Sequence, residues 1–219
     1  MSENQPRYLV VEGPIGVGKT SLARRLAQTF GGEPLLEHAE ENPFLERFYR
    51  DPKNAALPTQ LSFLFQRARQ LQQLRQGDIF TPLRVADFML EKDHLFAQLN
   101  LDDDEFGLYK QVFQHLTVDA PLPDLVVYLQ APIEILMRRV LNRGVNYEQL
   151  IQRDYLERVA EAYAHFFHYY NAAPLLIVNA AEINPVDSDE DYDMLVREIS
   201  RVKSGRHYFN PGKGRQFVA

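Results

Sequence analysis

The sequence predicts an α/β domain in which helices cover both faces of a parallel sheet. Short apolar segments, typical of strands buried on both faces, alternate along the chain with longer segments of helical spacing. A glycine-rich turn also separates the first strand from the first helix. With neither a repeat nor a linker, we expect one domain over residues 1–219, with residues 1–6 and 204–219 as flexible or peripheral tails.

Five strands and seven helical segments are expected in order. The strands are Tyr8–Val11, Leu35–Leu36, Leu83–Ala86, Leu125–Leu129 and Leu175–Val178. The helical segments are Gly18–Phe30, Phe44–Arg50, Leu57–Gln76, Phe96–Leu116 with a break around Asp102, Ile133–Asn142, Ile151–Tyr170 and Asp189–Val202. Glycines at 31 and 32, 77 and 144 end three of the helices. Ligands of such a sheet are expected at the carboxyl ends of its strands.

Composition excludes several functions. The 219 residues are 45% hydrophobic, which is enough to bury a sizeable core, and the net charge of −6 argues against a protein that coats nucleic acid. Without cysteines there is no disulfide and no thiolate metal site. The first residues, MSENQPR, lack the apolar core of a signal peptide, and no apolar run approaches the ~20 residues that span a bilayer. We expect a soluble cytoplasmic protein without nucleic-acid or membrane partners.

The turn after the first strand fits the phosphate-loop pattern G-x-x-x-x-G-K-[ST]. Its glycines let backbone amides turn toward phosphate oxygens, and the helix that follows adds a favourable dipole. Lys19 would reach the β- and γ-phosphates of ATP, and the Thr20 hydroxyl would bind Mg²⁺. The expected nucleotide-binding residues are Gly13, Pro14, Ile15, Gly16, Val17, Gly18, Lys19, Thr20 and Ser21.

Two further features favour phosphoryl transfer over a motor or a switch, whose acidic and N-K-x-D patterns do not occur. Arg139 and Arg143 are four residues apart on one helix face before Gly144, as expected for a lid that closes over a transferring phosphoryl group. The alternative is a solvated basic helix face. Glu37 follows a strand and could accept a proton from an attacking hydroxyl, or it could be an ordinary surface acid.

In their order, these segments resemble the deoxynucleoside kinases, in particular the bacterial deoxyadenosine/deoxyguanosine kinases. The matching motifs run from Tyr8 to about Val202. They are GPIGVGKTS, ENPFLERFY after Glu37, QLSFLFQRARQL, DFMLEKDHLFA, RRVLNRG with Glu148, and YLERVAEAYAHFF. The resemblance implies a P-loop kinase fold with a five-stranded parallel sheet and a lid, ATP and Mg²⁺ as cofactors, and a homodimer.

The resemblance also implies catalytic roles. Glu37 matches the family's general base toward the nucleoside 5′-hydroxyl. Arg139 and Arg143 match the lid arginines, which act with Lys19 on the transferring group. Asp87, at the end of the third strand, matches the acid that supports Mg²⁺ together with Thr20.

A nucleoside site is implied in the same way, with the substrate-binding residues Tyr49, Gln60, Arg67, Asp87, Asp93 and Glu148. Tyr49 and Glu148 match the pair that holds the sugar 3′-hydroxyl, and Gln60 matches the glutamine that makes two hydrogen bonds to the base. Arg67 and Asp93 match the pair that reads the base edge. The residue types suit these roles, because an amide offers a donor and an acceptor side by side.

Two positions depart from the family. Phe88 stands where many members have an arginine that helps to position the sugar and the 5′-oxygen, and Val145 replaces a further lid arginine of some members. Lys92 and Arg84 are candidates to replace the first of these arginines.

We therefore expect an ATP:deoxynucleoside 5′-phosphotransferase that prefers purines. One alternative is another small-molecule P-loop kinase, such as a nucleoside monophosphate kinase, which needs acceptor-site arginines; Arg47 and Arg50 are candidates. The other alternative is a non-catalytic nucleotide-binding subunit. Phe88 favours it, because the family arginine is absent at that position, whereas Glu37 and Arg143 argue against it, because such a subunit needs neither a base nor a lid.

Overall fold

The computed structural model describes residues 7–75, 83–116 and 121–211, and the strands of these residues form one parallel sheet. The strands are β1 Tyr8–Glu12, β2 Glu33–Leu35, β3 Arg84–Ala86, β4 Leu125–Gln130, β5 Leu175–Asn179 and β6 Arg206–Phe209. Their order across the sheet is β2-β3-β1-β4-β5-β6, and every neighbouring pair is parallel. The carboxyl ends of the strands therefore meet at one edge, with β1 in the middle.

Helices lie on both faces of the sheet. Their bounds are α1 Lys19–Thr29, α2 Leu45–Arg50, α3 Pro52–Arg75, α4 Glu91–Asn100, α5 Asp103–Leu116, α6 Ile133–Arg143, α7 Arg153–Tyr169 and α8 Asp189–Arg201. Short 3-10 turns lie at Ala39–Glu41 and Glu148–Leu150. None of the helices in the described ranges carries an apolar stretch of the length that crosses a membrane.

The alternation of side chains along β1 shows how the two faces are filled. Leu9 and Val11 are fully buried in the cluster that includes residues of α1, α6 and α8. Val10 is buried in the opposite cluster, with residues of α4 and α7. A strand with apolar side chains on both sides fits only a sheet that is covered on both faces, as the sequence predicted.

The sheet has one strand more than expected. The segment Arg206–Phe209, which we expected to belong to a flexible or peripheral tail, pairs with β5 from Leu175↔Arg206 to Val178↔Phe209. Its position at the sheet edge is peripheral, but it is ordered by backbone hydrogen bonds. The pattern RHYF offers few buried side chains, so periodicity does not reveal this strand. Residues 1–6 and 212–219 lie outside the described residues.

Several boundaries also differ. Strand β2 is Glu33–Leu35 rather than Leu35–Leu36. Helix α3 begins at Pro52, five residues before the expected Leu57, because proline is accommodated in the first turn of a helix. The helical segment from Phe96 begins instead at Glu91, and its expected break near Asp102 is confirmed by the end of α4 and the start of α5. The expected end of α3 at Gln76 lies outside the described residues.

Candidate active site

The phosphate loop occupies residues 13–18, between the last residue of β1 and the first residue of α1. Gly13, Gly16 and Gly18 have φ angles of 147°, 83° and 105°, in the region that side chains rarely adopt. A Cβ atom on Gly13 would lie 2.3 Å from the carbonyl oxygen of Leu129. The loop therefore depends on glycine both for its backbone angles and for its close approach to β4.

Lys19, the first residue of α1, extends over this loop. Its Nζ donates hydrogen bonds to the carbonyl oxygens of Gly13 at 2.8 Å and Pro14 at 3.2 Å. Burial, together with the nearby charge of Lys92, lowers the pKa of Lys19 to about 8. Its ammonium group thus lies where phosphate oxygens approach the loop amides.

Asp87, directly after β3, joins two neighbouring segments. Its Oδ2 accepts a 2.5 Å hydrogen bond from the hydroxyl of Thr20, and its Oδ1 accepts a 2.7 Å bond from the backbone N–H of Glu37. The side chain is 2% exposed. One carboxylate therefore fixes the start of α1 relative to the segment that follows β2.

Glu37 is held by a cation at each carboxylate oxygen. Arg67 binds Oε1 through Nε at 2.7 Å and a terminal nitrogen at 2.5 Å, while Lys92 Nζ lies 3.2 Å from Oε2. Burial alone would raise the pKa of Glu37, but Arg67 and Lys92 outweigh it and lower the pKa to about 2. Glu37 is therefore ionised at neutral pH, and it is not a freely solvated surface acid.

Arg67 also pairs with Asp93 through its other terminal nitrogen. The second oxygen of Asp93 accepts a 2.6 Å hydrogen bond from the hydroxyl of Tyr109. Burial raises the pKa of Asp93, although Arg67 opposes that shift. Arg67 reaches the wall of the cavity described next, whereas Asp93 lies behind it, fully buried and outside the lining.

A cavity opens between the phosphate loop and helix α3. Its lining brings together Ile15, Lys19, Glu37, Ala39, Leu45, Phe48, Tyr49, Thr59, Gln60, Phe63, Arg67, Lys92, Phe96, Tyr147, Glu148, Tyr155 and Tyr163. Of the six expected substrate-binding residues, four line this cavity, namely Tyr49, Gln60, Arg67 and Glu148. Asp87 and Asp93 do not line it.

Three buried polar atoms of this wall lack hydrogen-bond partners among the described residues. They are Oγ1 of Thr59, Oε1 of Gln60 and Oε2 of Glu148. A buried polar atom without a partner costs about 1–3 kcal/mol, so a ligand that binds these atoms recovers that cost. The wall is thus suited to a molecule that carries several polar groups.

Aromatic rings form much of the remaining wall. The ring of Tyr49 stacks on that of Tyr147 with an interplanar angle of 8° and meets Tyr155 edge-on at 72°. The guanidinium of Arg67 lies 5.0 Å from the ring centroid of Phe63. Sequence reasoning did not select Tyr147 or Tyr155; the position of Tyr147 directly before Glu148 was the available signal.

The two arginines that were expected to form a lid take different partners. Arg139 donates to the carbonyl oxygens of Val17 at 3.1 Å and Ala180 at 3.0 Å. Arg143 forms a 2.7 Å ion pair with Oε1 of Glu148. Both arginines line a second cavity next to the phosphate loop, as expected for residues on one helix face. The other residues that line this cavity are Gly16, Val17, Gly18, Ser21, Leu22, Leu129, Ala180, Asn184, Pro185, Val186 and Asp187.

Glu12 is a candidate site residue that the sequence analysis missed, although it lines neither of the two cavities described above. It is fully buried at the end of β1 and accepts hydrogen bonds from the backbone N–H of Met89 at 2.8 Å, the hydroxyl of Tyr163 at 3.0 Å and the N–H of Gly13 at 3.1 Å. The signal in the sequence was a carboxylate at the last position of an otherwise apolar strand, directly before the phosphate loop.

The two departures from the family pattern can now be located. Phe88 is fully buried in an apolar cluster with residues of α3 and α5. Arg84 pairs with Glu33 where β2 and β3 begin, at the opposite end of the strands from Asp87. Lys92, in contrast, is 3% exposed and lies against Glu37. Of the two candidate replacements for the family arginine, only Lys92 lies in this cavity.

The arginines of the monophosphate-kinase alternative are not at the cavity. Arg47 and Arg50 are exposed on α2, where Arg50 pairs with Glu46 at 2.6 Å. They form the solvent face of this helix and do not line either cavity described above.

Comparisons with known proteins identify relatives of this chain. A family model described as deoxynucleoside kinase matches residues 9–203. The chain is 34% identical to a deoxyguanosine kinase of Bacillus subtilis (strain 168) over 165 residues, which are 73% of this chain and 78% of that protein. It is 28% identical to a deoxyadenosine kinase of Lactobacillus acidophilus over 207 residues, 88% and 94% of the two chains.

The fold also matches solved structures. A deoxyadenosine kinase from M. mycoides, described with the products dCMP and a flexible dCDP bound, superposes with a TM-score of 0.76 at 24% identity, covering 88% of this chain and 98% of that one. The same enzyme described with bound dATP superposes with a TM-score of 0.74. These superpositions confirm the fold, and the family model over residues 9–203 confirms the family resemblance that the motifs indicated.

Proposed function

The chain belongs to the deoxynucleoside kinase family, and we propose that it transfers the γ-phosphoryl group of ATP to the 5′-hydroxyl of a purine deoxynucleoside. One observation carries the proposal. The carboxylate of Glu37 shares a cavity with Lys19 of the phosphate loop and with the amide and aromatic wall of Gln60 and Tyr49. A donor phosphate and an acceptor hydroxyl can therefore meet beside this carboxylate.

ATP would bind along residues 13–21, with its phosphates on the loop amides and on Lys19. The second cavity, beside Gly18 and the segment from Asn184 to Asp187, would receive the rest of the nucleotide. Support comes from the structurally similar M. mycoides enzyme, which is described with bound dATP.

Mg²⁺ fits the donors at the start of α1. The hydroxyl of Thr20 and the carboxylate of Asp87 are hard oxygen ligands in direct contact. The described ranges hold no cluster of three or more acidic or imidazole ligands, as suits an ion that is bound mainly by phosphates and water. When bound there, Mg²⁺ would neutralise negative charge on the phosphates.

The nucleoside would occupy the first cavity. The unpartnered Oε1 of Gln60 can accept a hydrogen bond from the base, and Phe63 and Tyr147 offer ring faces for stacking. The unpartnered Oε2 of Glu148 can accept the sugar 3′-hydroxyl, alongside Tyr49. Arg67 reads the base edge, with Asp93 fixing the orientation of its guanidinium from behind.

In the transfer step, Glu37 orients the 5′-hydroxyl and accepts its proton as the new oxygen–phosphorus bond forms. A carboxylate with a pKa of about 2 is a weak base, so its main contribution is orientation, and the proton leaves late in a loose transition state. Lys19, Arg139 and Arg143 stabilise the charge on the transferring group. To do so, Arg143 has to exchange Glu148 for phosphate, and Arg139 has to leave a carbonyl partner.

The test is transfer from labelled Mg·ATP to deoxyadenosine, deoxyguanosine, deoxycytidine and thymidine in separate assays. Glu37→Gln is the site variant and Glu46→Gln, an exposed acid on α2, is its matched control. We expect labelled monophosphate from one or both purines, lost in Glu37→Gln and retained in Glu46→Gln. No product from any of the four, with ATP bound, would contradict the proposal.

We also propose a homodimer that works in the cytoplasm, where ATP is available. The groove between α4 and α7 is lined by Leu95, Leu99 and Phe166, and Tyr169 on its rim is 69% exposed. A second copy would cover this apolar surface. Sedimentation of the wild type and of Phe166→Glu tests it: we expect a dimer that the charge dissociates, whereas a wild-type monomer would contradict it.

A further inference from the structure

Lys92, the candidate replacement for the family arginine that lies in the cavity, is a buried cation without a counterpart among the family's motif residues. It is 3% exposed on the first turn of α4, and its Nζ lies 3.2 Å from Oε2 of Glu37 and 3.8 Å from Oε1 of Glu12. Burying an ammonium group is costly unless it is paired. An apolar side chain could be buried at this position without that desolvation cost, so the charge calls for a functional explanation.

The second carboxylate in contact with Lys92 is rigidly placed. Glu12 is fixed by the N–H of Gly13, the N–H of Met89 and the hydroxyl of Tyr163. One of these donors is the first amide of the phosphate loop. Lys92 therefore bridges a carboxylate that is attached to the phosphate loop and the carboxylate that faces the acceptor hydroxyl.

The other cations near Glu37 do not contact its second carboxylate oxygen, Oε2. Arg67 directs its nitrogens to Oε1 of Glu37 and to Asp93, and Lys19 donates to two loop carbonyls. Lys92 alone of the three contacts Oε2 of Glu37. An ammonium group has three donors, and Lys92 also lines the nucleoside cavity, so a donor is left for an oxygen of the substrate.

We propose that Lys92 is a positioning residue for phosphoryl transfer, which links Glu37 to Glu12 and so fixes the acceptor-side carboxylate relative to the phosphate loop. The proposal rests on the proposed function for its catalytic consequence. The link itself follows from the two contacts of Nζ and can be measured without turnover.

The kinetic test compares Lys92→Met with Lys110→Met, which removes an exposed lysine of α5. We expect Lys92→Met to lower kcat by about 10²-fold with ATP affinity unchanged, because orientation of the hydroxyl is lost while the loop is intact. A purely structural role would lower the unfolding free energy of Lys92→Met without this selective loss of kcat at unchanged ATP affinity. A folded Lys92→Met enzyme with kcat within about threefold of wild type would overturn the proposal.

Lys92→Arg separates the effect of the charge from that of its position. It replaces Lys92→Met in the kinetic measurements if Lys92→Met does not fold. A guanidinium keeps the charge but moves it, so we expect a reduced kcat with an unchanged ATP affinity. Wild-type kcat in Lys92→Arg would contradict a positional role.

Two double-mutant cycles that need no substrate distinguish this proposal from the function on which it rests. Urea denaturation of wild type, Lys92→Met, Glu12→Gln and their double variant gives the coupling of Lys92 to Glu12, and the same cycle with Glu37→Gln gives its coupling to Glu37. Non-additive losses of unfolding free energy in both cycles support the link, and additive losses in either cycle overturn it. If both pairs are coupled but the wild type phosphorylates no deoxynucleoside, the link stands and the proposed function fails.

Discussion

Thr20 and Asp87 are joined by a 2.5 Å hydrogen bond from the Thr20 hydroxyl to Oδ2 of Asp87, although 67 residues separate them in the chain. Asp87 also accepts the N–H of Glu37 with its other oxygen. The donor side and the acceptor side of the site are therefore fixed to one carboxylate at the end of β3.

Asp87→Asn should lower kcat by at least about tenfold and raise the Mg²⁺ concentration needed for half-maximal activity, because an amide removes a charge from the donor set that we assign to the ion. Steady-state rates over a Mg²⁺ series measure both effects. Asp103→Asn, an exposed position in the first turn of α5, is the control. Equal Mg²⁺ dependence in wild type and Asp87→Asn would argue against a metal role.

Gly16→Ala should damage the phosphate loop, although the motif accepts any residue at this position. Its φ is 83°, and an added Cβ would lie 2.8 Å from the carbonyl oxygen of Leu136. We expect a loss of about 1–3 kcal/mol of unfolding free energy together with weaker ATP binding. Urea denaturation and calorimetric titration with ATP measure the two quantities.

Gly107→Ala is the matched control for that substitution. Gly107 lies in α5, and an added Cβ there meets no atom of the described residues within 4 Å. Alanine in a helix interior should raise the unfolding free energy by about 0.5–1 kcal/mol and leave ATP binding unchanged. A stabilised Gly16→Ala protein would contradict the assigned backbone strain.

Glu37 should make the stability of the protein depend on pH in acid. Its pKa is about 2 when folded against an ordinary value of 4.5, so the unfolded chain takes up the proton first. Its stabilisation is therefore complete above about pH 5 and is lost as the pH falls from 4.5 toward 2. Urea denaturation of wild type and Glu37→Gln between pH 6 and 2.5 should give a stability difference that shrinks with acid. A constant difference would refute this, and Glu46→Gln serves as the reference variant.

Tyr109→Phe should destabilise the fold by about 1–3 kcal/mol, because it leaves a buried oxygen of Asp93 without its 2.6 Å donor. Arg67 loses part of its support, so the KM for the deoxynucleoside should rise more than the KM for ATP. Tyr208→Phe, at a 70% exposed position on β6, should change stability by less than about 0.5 kcal/mol. Equal effects of the two substitutions would contradict the role of Tyr109 behind Arg67.

Local patterns predicted much of this molecule. The phosphate loop is one continuous segment, and its strand and helix neighbours were recognisable from periodicity. The carboxyl-end rule for parallel sheets predicted that Glu37 and Asp87 lie near the loop. Strand β6 was missed because a half-exposed edge strand lacks an apolar run, and its identity depends on backbone pairing with β5.

The sequence by itself determined the parallel α/β class and the nucleotide loop, since both depend on residue types at short spacing. It left Glu37 open between a base beside the loop and an ordinary surface acid. Only the tertiary structure decided which cation neutralises which acid. From the sequence, Arg84 and Lys92 are equally plausible replacements for the family arginine. In the structure, Arg84 pairs with Glu33 at the far end of the strands, whereas Lys92 pairs with Glu37 in the cavity. Charge pairing depends on distances between residues remote in the chain, and these are set by the packing of helices on the sheet.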